Sequence, residues 1–266
     1  MKISKHTFLV SGGASGLGRA CCEDIVAQGG HVAVLDQNEE NGQEFVKTLG
    51  SAAQFFVCDV LESESIAKAV QGTVEWANQS GKTIGGAITA AGVALPAPLT
   101  LEEIVNRHGT PFSIDDFDFV VGVNLRGTID LARQTCEAMV KTKRESADSD
   151  HGVIIMVASS AAFDGQNGQV SYSASKGAIR SLTLPMARDL GRYGIRAMTI
   201  APSLFETGMT SAMPDKVRKN LENTFVFPTR SGRAPEFASL VRQIIENEML
   251  NGEVIRLDGA SRMPKI

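Results

Sequence analysis

The chain has 266 residues, of which 43% are hydrophobic and 21% charged, enough apolar side chains for a sizeable core and a pattern that excludes intrinsic disorder and a coiled coil. Its 26 basic and 30 acidic side chains leave a net charge of −4, so it lacks the basic field that nucleic-acid or anionic-membrane binding needs. Cys21, Cys22, Cys58 and Cys136, like His6, His31, His108 and His151, show no disulfide-framework or metal-ligand spacing, so neither a disulfide scaffold nor a metal centre is expected.

From the N-terminus onward, short apolar runs alternate with longer segments of helical period, the pattern of βαβ units and a parallel sheet. The predicted order is strand 7–10, helix 16–28, strand 31–35, helix 39–49, strand 53–57, helix 63–78, strand 85–89, helix 113–141, strand 152–158, helix 171–193, strand 195–200, helix 234–248 and strand 253–257. The strands are mostly apolar inside, as strands covered on both faces must be. That gives an α/β class: one Rossmann-like domain over 1–266, a doubly wound sheet of about seven parallel strands with helices on both faces. Ser113 followed by Asp116 places a capping box at the start of the helix 113–141. The Pro-containing loop 93–111 before it is expected to rim a site, and the polar stretch 141–150 reads as a solvated loop. Residues 204–227 have weak period and no strand pattern, and they follow a strand end where open α/β sheets place ligands, so a substrate lid is expected at about 203–227.

The first five residues run straight into a strand and leave no room for a signal or transit peptide, and no apolar run is long enough to span a membrane. An intracellular protein is expected, cytoplasmic first, with mitochondrion and peroxisome left open. Pro264-Lys265-Ile266 only faintly echoes the peroxisomal Ser-Lys-Leu, differing at two of three positions.

Directly after the first strand comes Ser11-Gly12-Gly13-Ala14-Ser15-Gly16-Leu17-Gly18. Glycine removes the Cβ that would block a pyrophosphate, and the helix start that follows offers free N–H groups with partial positive charge. Alone, such a turn is a weak signal. Its context strengthens it: Asp36 stands at the end of the second strand, placed to accept hydrogen bonds from both hydroxyls of an adenosine ribose. As a competing reading, Asp36 could simply cap or turn the chain ahead of Glu39. A 2′-phosphate would meet a carboxylate here, and Ala14, Ser15 and Gln37 supply no compensating cation, so NAD is favoured over NADP.

At the end of the fifth strand stand Ser159 and Ser160, and Tyr172-Ser173-Ala174-Ser175-Lys176 opens the next helix. Tyrosine and lysine four apart share a helical face, so the ammonium is expected to favour the phenolate and make Tyr172 an acid or base near neutral pH. A serine hydroxyl beside it can hold a carbonyl or alcohol oxygen while a hydride is exchanged with nicotinamide. Taken singly, a surface Tyr-Lys pair and a strand-end serine cap are the commoner explanations.

Together, Gly12-x-x-x-Gly16-x-Gly18, Asp59 after the third strand, Asn124 in Val123-Asn124-Leu125, Ser159 and Tyr172-x-x-x-Lys176 resemble the short-chain dehydrogenase/reductase family over nearly the whole chain. Ala161-Ala162-Phe163, Gly165-Gln166, the run from Tyr172 to Gly177, Ala187-Arg188-Asp189-Leu190 and the run from Asn251 to Ala260 are similar to its branch that acts on 3-hydroxyacyl-CoA and hydroxysteroid substrates. The resemblance implies a catalytic set of Asn124, Ser159, Tyr172 and Lys176. It implies NAD held by Gly12, Ser15, Gly16, Leu17, Gly18, Asp36, Asp59, Val60, Ala91, Gly92, Tyr172, Lys176, Pro202 and Thr207, and a substrate touching Ser159, Gln166 and Tyr172. It also implies a homotetramer packed through the helices 113–141 and 171–193. The implied reaction interconverts a secondary alcohol and a ketone. The alternatives are another carbonyl substrate of secondary metabolism, or a non-catalytic NAD-binding partner in a larger assembly. Two departures stand out: the family's Asn-Asn-Ala-Gly reads Thr89-Ala90-Ala91-Gly92, expected to loosen the central strand, and its Pro-Gly reads Pro202-Ser203, expected to strain the backbone.

Overall fold

The computed structural model describes residues 1–94, 104–105, 108–142, 146, 148–211 and 213–263. In chain order these form β1 (His6–Ser11), α1 (Gly16–Ala27), β2 (His31–Asp36), α2 (Glu39–Leu49), β3 (Ala53–Val57), α3 (Ser63–Gln79), β4 (Thr83–Thr89), α4 (Ile114–Val121), α5 (Gly127–Val140), β5 (Gly152–Val157), α6 (Val170–Gly191), β6 (Ile195–Pro202), β7 (Phe205–Glu206), α7 (Gly208–Ser211), α8 (Asp215–Glu222), β8 (Gly232–Arg233), α9 (Ala234–Glu246) and β9 (Val254–Leu257).

Seven strands make one parallel sheet in the order β3-β2-β1-β4-β5-β6-β9. Side chains alternate between its faces, and both faces are covered. Phe8, Val10, Val32 and Val34 point into one core with Ile25 of α1 and Phe237, Val241 and Ile244 of α9. Leu9, Ala33, Leu35 and Ile154 point into the other, against Ile66 of α3, Leu131 of α5 and Ile179 of α6. Because the chain leaves β1 toward β2 and returns to β4 on the other side, the loops after β1 and β4 diverge. The crevice between them is where such sheets bind ligands.

Each predicted strand is present: 53–57 keeps its bounds and the others are extended or trimmed by one or two residues at an end. The predicted helix 113–141 is not continuous: a π-helical turn, Gly122–Arg126, separates α4 from α5, and Asn124 lies inside it. Ser113 does cap α4, its hydroxyl accepting the Asp116 N–H at 3.2 Å. The segment read as patternless contains a two-residue strand, β7, paired in parallel with β8 through Phe205 with Gly232 and Glu206 with Arg233, followed by α7 and α8. Most of the loop 93–111, part of 141–150 and the last three residues lie outside the described residues. Among the described residues no helix is long and apolar enough to cross a membrane.

Candidate active site

A cavity of about 500 Å³ opens at the carboxyl ends of the central strands and runs from Asp36 to Ser159. Its floor is the turn after β1. Gly12 has φ +63° and faces the backbone of Ala91, which a Cβ there would meet at 3.0 Å, while a Cβ on Gly18 would stand 2.3 Å from the Gly12 carbonyl oxygen. Only glycine at these positions lets turn, helix and β4 loop close on one another. Ser15 precedes α1 without capping it by its side chain, so the first N–H groups of the helix stay available to an anion.

At the far end, Asp36 accepts the N–H of Ala14 at 3.2 Å and of Asn38 at 3.1 Å. The cap of α2 is Asn38, whose side chain accepts the Asn41 N–H, so Asp36 is not the helix cap. It lines the cavity beside Gln37, and Lys176, at the opposite end, is the one basic side chain among the described residues of the wall. Asp59 lines the wall with Val60; one of its carboxylate oxygens accepts the Leu61 N–H at 2.9 Å.

At the inner end α6 presents Tyr172 and Lys176 from its first two turns. Lys176 is only 4% exposed, and its ammonium donates to the Val157 carbonyl at 2.9 Å. Burial pulls its pKa down to about 8. Burial pushes the Tyr172 phenol the other way, above its usual value, while a hydrogen bond with Ser159 partly opposes the rise. The expectation that Tyr172 titrates near neutral pH is therefore corrected for the protein alone. The ammonium sits 5.8 Å from the ring centroid, and desolvation of the phenolate sets the direction of the shift. Ser159 caps a 3-10 turn, Ser160–Ala162, accepting the Ala161 N–H at 3.2 Å.

Asn124, fully buried, accepts the Val93 N–H at 2.8 Å and donates to the Val93 carbonyl at 2.9 Å and to the Ser175 hydroxyl at 3.2 Å. Ser175 in turn donates to the Tyr172 carbonyl at 2.8 Å. Asn124 thus ties the chain after β4 to the turn of α6 that carries Tyr172. Sequence reasoning missed Ser175, although it stands inside the Tyr-to-Lys motif. It also missed Ser11, whose hydroxyl accepts the Ala91 N–H at 3.2 Å.

Ala91, Gly92, Pro202 and Thr207 all line the cavity, as do the unpredicted Phe119, Leu204 and Thr210. Thr207 is held by Thr210 through its N–H at 2.9 Å, and its methyl group approaches Gly16 of the glycine turn. Gln166 is absent from the described wall; it lies near the start of α6 with its N–H donating to Gln169. Ser203 does not show the strain expected of it. Its φ is not positive, Ala260 being the non-glycine residue with that geometry among the described residues, and its N–H donates to the Leu257 carbonyl. Thr89 keeps its register between Ser11 and Met156, so the central strand is not broken.

The wall fits a nicotinamide dinucleotide: a glycine floor and an open helix start for the pyrophosphate, a carboxylate for ribose hydroxyls, and a Ser-Tyr-Lys cluster at the other end. Comparison with known proteins agrees. The family model of short chain dehydrogenases matches residues 6–218. The chain is 43% identical over 255 residues to bovine (Bos taurus) 3-hydroxyacyl-CoA dehydrogenase type-2, covering 96% of this chain and 94% of that one. It is 41% identical to the protein of that name from Drosophila melanogaster, covering 98% and 99%. Its fold superposes on the crystal structure of a 3-hydroxyacyl-CoA dehydrogenase type-2 from Mycobacterium avium with a TM-score of 0.91 at 32% identity, covering 99% and 98%. With family model, relatives, sheet order and cavity in agreement, this chain belongs to the short-chain dehydrogenase/reductase family, oxidoreductases that use a nicotinamide dinucleotide to act on CH–OH groups.

Proposed function

We propose that the protein is an NAD-dependent dehydrogenase that interconverts a 3-hydroxyacyl-CoA and its 3-ketoacyl-CoA. The observation that carries this reading is one cavity with Asp36 at one end and the Ser159, Tyr172, Lys176 cluster at the other. The 3-hydroxyacyl-CoA dehydrogenases at 41 and 43% identity over nearly the full chain supply the substrate class.

Each carboxylate oxygen of Asp36 already accepts one hydrogen bond from a backbone N–H, and each has a further lone pair for a ribose hydroxyl. Its charge, with no basic side chain beside it among the described residues of the wall, repels a 2′-phosphate. NAD, when bound, supplies the hydride acceptor. Ser159 holds the substrate oxygen, and Tyr172 donates a proton to that oxygen in reduction or accepts one in oxidation. Lys176, which keeps N–H donors beyond the one given to the Val157 carbonyl, would hold the ribose hydroxyls of the cofactor. Asn124 acts by holding Val93 and Ser175, and so the geometry around Tyr172, within the proton path. Residues 203–227, with α7 and α8, serve as the lid over the substrate.

We also assign a homotetramer. Ile114, Phe119, Ile129 and Val140 on α4 and α5 and Leu184 on α6 are exposed apolar side chains that a second copy would cover. The four cysteines, all free and buried, favour an intracellular setting, the cytoplasm before the mitochondrion or peroxisome.

The test is a panel of 3-hydroxyacyl-CoA thioesters, hydroxysteroids and small secondary alcohols with NAD or NADP, followed by reduced-nicotinamide absorbance. The thioesters with NAD should give the highest kcat/KM. Preference for a steroid or a simple alcohol would overturn the substrate class, and preference for NADP would overturn the cofactor.

A further inference from the structure

Ser159 hangs on a short turn that is gripped from outside the cavity. The N–H groups of Ala162 and Phe163 return to the carbonyls of Ser159 and Ser160, and Asp164 N–H also returns to Ser160. With the Ser159 hydroxyl bound to the Ala161 N–H at 3.2 Å, where that hydroxyl points depends on where Phe163 and Asp164 sit.

Both are held by Arg256 of β9. Its guanidinium lies 4.7 Å from the centroid of the Phe163 ring and pairs with Asp164 at 2.5 Å. It is itself oriented by Asp258 at 2.5 Å and by the Ser261 carbonyl at 3.1 Å. On the other side Arg180, one helical turn beyond Lys176 on α6, places its guanidinium 4.2 Å from the same ring. Phe163 thus joins the turn that carries Ser159 both to the helix that carries Tyr172 and to the last strand of the sheet. Such stacked and planar paired contacts suit arginine, with its flat, forked guanidinium, better than lysine. The side chain of Arg256 is only 18% exposed. It lies outside the cavity wall, and the reaction as described above makes no use of it.

We infer that Arg256 is a positioning residue: by gripping Phe163 and Asp164 it sets the Ser159 turn against α6 and fixes the hydrogen bond between Ser159 and Tyr172. The inference rests on the reading of Ser159 and Tyr172 as the reacting pair.

The sequence supplies a probe that needs no substrate. Tyr172 and Tyr193 are the two tyrosines of the chain, so in a Tyr193→Phe background the ultraviolet absorbance of tyrosinate reports Tyr172 alone. The titratable group that faces this phenol is Lys176; with its pKa at about 8 it is already neutral when the phenol titrates, and the test leaves it in place. The Ser159 hydrogen bond lowers the Tyr172 pKa, so Arg256→Met should raise the titration midpoint by about one unit. The same variant should lower kcat with 3-hydroxybutyryl-CoA and NAD by about tenfold, the effect of a slightly misplaced group, while KM for NAD stays within about twofold. Arg256→Lys keeps a charge for Asp164 and Asp258 without the planar stack and should recover part of both effects. A residue needed only for stability would lower the melting temperature and leave the midpoint where it is. If Arg256→Met fails to fold, Phe163→Leu, which removes the ring but keeps an apolar side chain, is held to the same criterion. An unshifted midpoint in a folded, NADH-binding variant overturns the inference. Tyr172→Phe separates the two readings: full activity there refutes the reacting pair itself, whereas an inactive Tyr172→Phe beside an unshifted Arg256→Met refutes the role of Arg256 alone.

Discussion

Lys176→Met should make the free protein more stable at neutral pH while abolishing most of its turnover. The ammonium is 4% exposed, and burial lowers its pKa from 10.5 to about 8. At ~1.36 kcal/mol per unit, a drop of that size corresponds to a penalty on the order of 3 kcal/mol for keeping the charge inside the fold. The substitution removes the penalty, and the flexible methionine fills a similar volume. Against this stands the Val157 carbonyl, which loses a charged donor at 2.9 Å, worth about 1–3 kcal/mol. The net gain is on the order of 1 kcal/mol, or a rise of a few degrees in Tm for a chain of this size.

The sign with pH is the discriminating part. The folded-state pKa lies below the unfolded one, so the penalty is fully present below about pH 8 and disappears as the pH rises toward 10.5. Wild type should therefore gain stability over that window, and the difference between the two proteins should shrink. Urea unfolding followed by circular dichroism between neutral and strongly alkaline pH measures both. A variant less stable than wild type at pH 7, or a difference that does not change with pH, would refute the argument that this lysine is a desolvated charge. Saturating NADH should reverse the order, since a ligand that binds the wild type more tightly stabilises it more.

The sheet is legible because its strands are apolar on both faces and separated by longer segments of helical period; the glycine turn, Asp36 and the Tyr-Lys pair are legible because their spacing has a geometric meaning. Three features are not. The π turn at Gly122–Arg126 interrupts an unbroken helical period, and only a buried polar residue, Asn124, marks it, as π turns often mark functional positions. The pairing of β7 with β8 spans two residues in each strand, too few for any period to show. Helix α8 buries none of its residues, so it had no apolar face to announce it. Two chemical expectations also differ from the structure, each for its own reason. For the Tyr-Lys pair, spacing gives proximity but not dielectric. Tyr172 and Lys176 were placed together correctly, yet the depth of the site, set by β5 and the Ser159 turn, decides the direction of each pKa. Ser203 was judged by the glycine it replaces, whereas the local backbone takes an ordinary φ.

Three further outcomes follow from the site and surface. Asp36→Ala removes a carboxylate that also anchors the glycine turn through Ala14; KM for NAD should rise about 10- to 100-fold, the loss of one or two charged hydrogen bonds, and the preference over NADP should narrow, both read from steady-state kinetics. Light scattering at micromolar concentration should give a tetramer, and a monomer would leave the exposed apolar positions of α4, α5 and α6 without a partner. The last outcome concerns Tyr172. Tyr172→Phe deletes one hydroxyl and leaves the glycine turn, Asp36 and Lys176 untouched, so NADH binding measured by fluorescence should stay within about threefold, while kcat falls by ~10²- to 10⁴-fold, as for the loss of a general acid or base. Because burial raises the phenol's pKa, the tyrosine of the wild type is protonated at neutral pH. Ketone reduction, which needs the proton present, should therefore hold its rate through neutral pH and fall only in alkali; alcohol oxidation, which needs it gone, should climb with pH. The variant should show neither limb. Wild-type turnover in Tyr172→Phe, or an oxidation rate that falls as the pH is raised from 7 to 9, would mean that another group carries the proton.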